Sequence, residues 1–441
     1  VQAPNDAVTE YEYDGQGRVV RVKDARGAIA RFRYDVLGHL LRVESPTGVV
    51  QERAYDAQGN LLETRDVTRH VRFRYGHFHK IVAREEAGSS LRFFYDSEGR
   101  MTGVLNELNE PYTFILDACG QVCEETGFDG RTRVYLRDKL GRVTKTCLPS
   151  GRTSEFSYDA AGRIVSVKYS DGAFAELAYR ADGVLIGAKN QSATVFFERD
   201  ALGRVVREVQ GNYVVSSRFD SSGERAVMET SLGGRMVVLR DALGKVASLH
   251  CGADAPHTPQ VTLRFERDAL GLEAARLLPG GIRVEWQRDG QGRPTHRSVV
   301  RHAAGAPLQT LDARAYQWRG VDQIAAIVDA QRGPTQYQHD ARGRLVAQVM
   351  PRGILHRAMD AVGNVFRAPT LVDRSYGKGG QPEVADGVRY VYDDDGHQTE
   401  RMEADGSRWR YRWDGAGMLS EVQRPDGLRV RFEYDAFARR T

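Results

Sequence analysis

The residues that first invite a chemical reading are acidic. Asp393-Asp394-Asp395-Gly396 looks like a calcium loop, since carboxylate oxygens around a tight Gly turn suit a hard cation. An EF-hand loop, however, wants Gly sixth and Glu twelfth, and here Gly is fourth. His70, His77 and His79 cluster. In a strand, His77 and His79 would share one face as a metal pair, with no third ligand in sight. Cys119 and Cys123 are spaced C-x3-C without a matching second pair; with Cys147 and Cys251 they read as reduced, mostly buried thiols. No phosphate loop, nucleophile elbow or H-E-x-x-H motif is present. Many aspartates could serve as acid and base, but their spacing gives them another role. The expectation is no catalytic, cofactor-binding or metal-binding residue.

That other role comes from a repeat. An aromatic-Asp-x-x-Gly-Arg motif recurs as Tyr13-Asp14 to Gly17-Arg18, Tyr34-Asp35 to Gly38, Tyr55-Asp56 to Gly59, and Tyr95-Asp96 to Gly99. It continues at Tyr158-Asp159 to Gly162, Asp200 to Gly203, Asp340 to Gly343, Tyr392-Asp393, Trp413-Asp414 to Gly417, and Tyr434-Asp435. Further copies lie at Asp117, Asp138, Asp220, Asp241, Asp268, Asp289 and Asp360, and degenerate ones at Tyr75-Gly76, Tyr179-Arg180 and Trp318-Arg319, which makes about twenty repeats of 20–21 residues. Each part has a physical reason. The aromatic ends a strand and packs on cross-strand neighbours. Asp folds its carboxylate onto nearby backbone N–H groups. Gly takes the positive φ of a short hairpin loop, and Arg restarts the outgoing strand.

A second turn follows about ten residues later, as at Pro149-Ser150-Gly151 and Ser170-Asp171-Gly172. Each repeat is therefore strand, turn, strand, turn. Arg408-Trp409-Arg410-Tyr411-Arg412-Trp413 alternates at period two. Trp286, Trp318, Trp409 and Trp413 all fall in strands and read as packing residues, not a sugar-stacking platform. Val321 to Ala330 has a helical composition but keeps strand register. The organisation expected is a lead-in segment over 1–12 and a repeat region over 13–441, with loop insertions near 249–262, 300–312 and 366–388.

One repeat cannot fold alone, so stability must come from pairing with neighbours. About 40 strands at ~4.8 Å give a ribbon of roughly 190 Å, too long to stay flat under strand twist. Coiled once, it would enclose a space too wide for side chains to fill.

Composition excludes other classes. The chain has 441 residues, 41% hydrophobic and 28% charged, which fits a folded domain and not a disordered one. No run of about 18 apolar residues suggests a membrane span. Residues 1–10 carry no basic-then-apolar leader. The 63 basic residues nearly balance 59 acidic ones and include only eight Lys, so no nucleic-acid partner is expected.

The Tyr-Asp-x-x-Gly-Arg repeat resembles the Rhs/YD-repeat family. That family spans bacterial Rhs polymorphic toxins, wall-associated YD proteins, insecticidal toxin-complex C components and animal teneurins. The resemblance implies an all-β fold: a YD-repeat β-hairpin ribbon spiralling into a hollow cocoon-like shell, here incomplete. It implies a non-enzymatic shell segment that encapsulates a C-terminal toxin domain and helps deliver it in bacterial competition by type VI secretion. Implied partners are that toxin domain, the plug and cap segments of the rest of the Rhs chain, a secretion spike protein, a chaperone and an immunity protein. Such a protein is made in the bacterial cytoplasm, then secreted or injected into a target cell. The family's self-cleaving Asp-Pro-x-Gly-type segment has no counterpart here, because no Asp-Pro dipeptide occurs. Ala438 stands where the last turn would have Gly. The chain thus reads as the middle of a shell, without cap, protease or toxin. The alternative is an extracellular YD-repeat adhesion or glycan-binding protein. A β-propeller enzyme fits poorly, since paired repeats would make ten blades against the usual 4–8.

Overall fold

The computed structural model describes residues 2–3, 6–253, 260–302 and 307–441. Among the described residues there are 42 strands, two 3-10 turns and no α-helix. Alternation is the cause. In Arg408–Trp413 the three arginines are exposed, while Trp409, Tyr411 and Trp413 are half-buried. Residues 321–330 contain the strand Gln323–Asp329 and no helix.

Within three sheets of 33, two and seven strands, consecutive strands pair antiparallel, with one recurrent irregularity. Ser157 opposes Ser166, but Tyr158 opposes Ile164, leaving Val165 as an extra residue. The same slip occurs at Tyr13, Tyr34, Tyr55, Tyr392 and Trp413. A bulge bends its strand and sharpens the local twist. Here it recurs at the strand end beside the motif turn.

The chain divides into two compact units. The first comprises Val1–Ser90, Arg218–Glu229 and Gly233–Ala358; the second comprises Leu91–Ser217, Thr230–Leu232 and Met359–Thr441. Each therefore combines an early run of ribbon with a late run. A single-layer sheet has little interior, so the buried apolar side chains are mostly small, as at Ala83, Val195 and Ala275.

The expected insertions resolve differently. Residues 366–388 hold paired strands Arg374–Tyr376 and Pro382–Ala385 instead of a bare loop. Their turn has Gly377 N–H on Gln381 O (2.8 Å) and Gly380 N–H on Gly377 O (3.2 Å). This is a motif turn with Gly in place of Asp, which hid it from the pattern. Near 249–262 the strands Val246–Ala253 and Val261–Arg267 pair, and near 300–312 Pro294–Arg301 pairs with Gln309–Arg319. Residues 254–259 and 303–306 lie outside the described residues. The lead-in 1–12 already includes most of the first strand, Glu10–Tyr13. No helix among the described residues is long and apolar enough to cross a membrane.

Candidate functional site

The motif turn is a small electrostatic device. Asp14 Oδ1 accepts the backbone N–H groups of Gln16 (2.9 Å) and Arg18 (3.0 Å), and Oδ2 accepts Arg18 Nε (2.7 Å). Gly17 N–H closes on Asp14 O at 3.0 Å with φ 77°. The result is a three-residue hairpin loop ending in a left-handed residue. The Arg18 N–H lowers the Asp14 carboxyl most, against a raising effect of burial, and the Arg18 guanidinium lowers it further. Asp96, Asp138, Asp159, Asp200 and Asp340 bind their own arginines in the same way. Gly38, Gly59, Gly99, Gly162, Gly203, Gly343 and Gly417 all have positive φ. At the last turn Ala438 takes φ 61° and still donates to Asp435 O at 3.0 Å.

The strand-end aromatic does more than pack. Tyr158 Oη donates to Val143 O (2.7 Å), Tyr434 Oη to Leu419 O (2.9 Å) and Trp413 Nε1 to Gln398 O (2.8 Å). Each reaches the preceding repeat beside its bulge. Where Arg replaces the aromatic, the bond persists: Arg137 Nη2 reaches Val122 O (3.0 Å) and Arg267 Nη2 reaches Val246 O (2.9 Å). A donor on a long side chain is what the position needs, so degenerate copies still work. The motif Arg links forward. Arg163 binds Asp159, stacks 4.7 Å from the Tyr179 ring and donates to Arg180 O. Arg18 does the same to Tyr34 (5.0 Å) and Asp35 O (2.6 Å). Sequence reasoning assigned Arg no such role; its signal was the fixed four-residue spacing from Asp.

Within each compact unit, motif turns of the late run meet the opposite turns of the early run. In the first unit, Arg26 Nη2 donates to Gly290 O at 3.2 Å. A Cβ added at Gly290 would lie 2.9 Å from Pro46 Cβ, so the runs touch there at the backbone. In the second unit, Arg131 donates to Asp394 O (2.8 Å) and Gln381 Oε1 (2.9 Å). Asp171 Oδ2 accepts Gly415 N–H (2.5 Å), Asn190 Nδ2 donates to Tyr434 O (2.7 Å), and Arg439 Nη1 pairs with Glu208 (2.5 Å). These partners stand 231–264 residues apart in sequence. They form a seam.

Asp395 is a deeply buried charge of that seam, with its side chain 2% exposed. Oδ1 accepts Ser150 N–H (2.9 Å); Oδ2 accepts Ser150 Oγ and Arg152 Nε, both at 2.6 Å. Burial raises its carboxyl, but the Ser150 bonds and then Arg152 outweigh it, so it lies below the ordinary value. Asp393, Asp395 and His397 converge closely enough to suggest a metal site. A cation is already in place: Arg152 binds Asp395 and sends Nη2 to His397 Nδ1 at 2.9 Å. The same ring nitrogen lies 3.3 Å from Asp393 Oδ2, so it sits between the guanidinium, which only donates, and a carboxylate, which only accepts.

Two expectations change. His77 and His79 occupy a 3-10 turn with Phe78 at φ 57°, not one strand face, because they fill the loop of the degenerate Tyr75-Gly76 copy. His79 Nδ1 lies 3.1 Å from Asn60 Oδ1. The cysteines are free, but Cys119 is exposed and the other three are half-buried, since a one-layer sheet offers few buried places. Trp318 and Trp413 are structural donors to carbonyls.

Comparison with known proteins follows this geometry. The RHS Repeat model matches residues 137–173 and 392–429, and the Teneurin YD-shell model matches 2–126. The Double-stranded DNA deaminase toxin A of Burkholderia cenocepacia (strain H111) is 28% identical over 236 residues, covering 48% of this chain and 15% of that protein. A TcdB2–TccC3 crystal structure without its hypervariable C-terminal region superposes with TM-score 0.74 at 13% identity, over 99% of this chain and 27% of that one. The Photorhabdus luminescens Tc holotoxin pore gives TM-score 0.72 at 13% identity, over 97% and 28%. The chain thus spans under a third of the length of each.

Proposed function

We propose that the chain, whose repeats match RHS Repeat and Teneurin YD-shell models, is a stretch of wall in a hollow cocoon-like shell that holds a toxin polypeptide. The observation that carries this reading is the seam. In each compact unit a sheet one layer thick is fastened to a second run of itself, turn to turn, by side chains that also brace their own turns, as Arg131 does at Asp129 and Arg439 at Asp435. Such a construction makes a wall; the role is structural, not catalytic. The fold shared with TcdB2–TccC3 and the likeness to a protein named as a toxin support it. In this reading the partners are the toxin domain inside, the plug and cap segments of a longer Rhs chain, and a spike protein, chaperone and immunity protein. Delivery is by secretion or injection, through a type VI system in bacterial competition.

The test uses the product of the complete native gene. A C-terminal polypeptide that resists protease until denaturant opens the particle supports the proposal. One digested as fast as a free chain refutes it. The Teneurin YD-shell match over 2–126 favours a second reading, an extracellular adhesion module. Saturable binding on a glycan array, with no protected cargo, would select it.

A further inference from the structure

The seam of the second compact unit contains a matching code. Three successive late turns, Asp393–Gly396, Asp414–Gly417 and Asp435–Ala438, meet three different parts of the early run. At the two loop positions that the motif leaves free, these turns carry Asp394-Asp395, Gly415-Ala416 and Ala436-Phe437. Asp395 is clasped by Ser150 and Arg152. Gly415 gives its N–H to Asp171, and a Cβ there would lie 2.2 Å from Asp171 Oδ1 and 2.7 Å from Tyr169 Cβ. Phe437 packs on Phe197, with ring centroids 5.6 Å apart. One contact is ionic, one requires the absence of a side chain, and one is aromatic.

The wrong pairings are penalised. A slip of one repeat would bring the Asp395 turn to the neighbouring early turn, holding either Asp171 or Asp129. Both are carboxylates that would repel Asp395; beside Asp171, Ala173 stands in place of Arg152, and beside Asp129 the equivalent Arg131 is already paired with Asp129 itself at 3.0 Å. The same slip would put Asp394 or Ala436 where only Gly fits. The consensus residues recur from repeat to repeat and cannot by themselves distinguish one register from another. We propose that Asp395, Gly415 and Phe437 specify which early turn each late turn docks on, and so fix the register of the seam. This concerns how the chain matches itself and stands whether or not a toxin is enclosed.

The test is cross-linking. Gln191 and Ala436 line one depression of the seam. In a chain whose four cysteines are replaced by serine, Gln191→Cys with Ala436→Cys should join through a short bismaleimide. Adding Asp395→Arg, which faces Arg152, should lower the yield about tenfold or more, as expected when a buried pair becomes a like-charge contact. Adding Arg152→Asp to that variant should restore the yield to within about twofold, since the pair is re-formed in the opposite sense. An unchanged yield in Asp395→Arg overturns the proposal. So does a double variant that folds by circular dichroism but does not cross-link. If Asp395→Arg alone gives no folded chain, the double variant decides: folded and cross-linked supports the code, unfolded refutes it.

Discussion

Glu86 offers a sharp test of how this wall is held. Its side chain is 3% exposed and receives Arg69 Nε at 2.8 Å, together with a close bond from Arg84 Nη2. Arg69 in turn lies against the late motif turn, where a Cβ on Gly343 would stand 3.3 Å from its Cδ. Glu86→Gln keeps the shape and removes the charge. A bond to a charged group contributes about 1.5–3 kcal/mol and a neutral one about 0.5–1.5. Gln has one acceptor oxygen for the two arginines, so one bond becomes neutral and the other is lost; together this would cost roughly 2 kcal/mol, taken at the low end because Arg69 and Arg84 are 41% and 31% exposed. That corresponds to roughly 30-fold faster local opening. Amide hydrogen exchange over His70–Tyr75 and Ile81–Glu86 reads it directly, with Arg408–Trp413 as the unaffected control. The pH dependence adds a second check. Burial raises the Glu86 carboxyl, but Arg69 and then Arg84 outweigh it, so the folded value is lowered. The contribution is therefore full above the unfolded value of 4.5 and disappears as pH falls through the lower folded value. The gap between the wild type and Glu86→Gln should therefore close only as pH falls below 4.5 and through the lowered folded value. Exchange within twofold of wild type at neutral pH, or a gap that persists in strong acid, would refute the reasoning.

Other predictions follow from the turns. Gly162→Ala forces a side chain into φ 80° and should cost about 1 kcal/mol in urea unfolding, whereas an exposed Ala161→Ser should cost nothing measurable. Arg163→Ala should speed exchange in the next repeat, Phe174–Tyr179, more than in its own turn. Arg163→Lys should not rescue it, because an ammonium cannot make the forked, stacked contact. The carboxyls of Asp14, Asp96, Asp138 and Asp159 are all lowered in the folded chain. Their stabilisation is complete above the unfolded value near 3.8 and lost below the folded ones, so midpoints should fall together below about pH 4. Calcium should leave the unfolding midpoint unmoved, because Arg152 already supplies the cation at Asp395.

The all-β ribbon is legible because the repeat writes it many times over. Asp and Gly three residues apart specify the loop, and period-two alternation specifies the strands. Three things were less legible. Tyr376-Gly377 has the turn without the Asp, so composition suggested a loop. The aromatic's hydroxyl contact depends on a bulge, and a bulge leaves no mark in residue type. The seam joins residues about 250 positions apart, and no local pattern signals which turns will meet. Asp395 shows the difficulty best. Its sequence context, three aspartates and a glycine, suggests a metal, and only the early-run Ser150 and Arg152 reveal its use.

The account's central claim is tested most directly by an electron cryomicroscopy map of the complete native gene product. It predicts a closed hollow particle with residues 13–441 in its wall and further polypeptide density inside. An open ribbon, or a particle with no internal space, would contradict it.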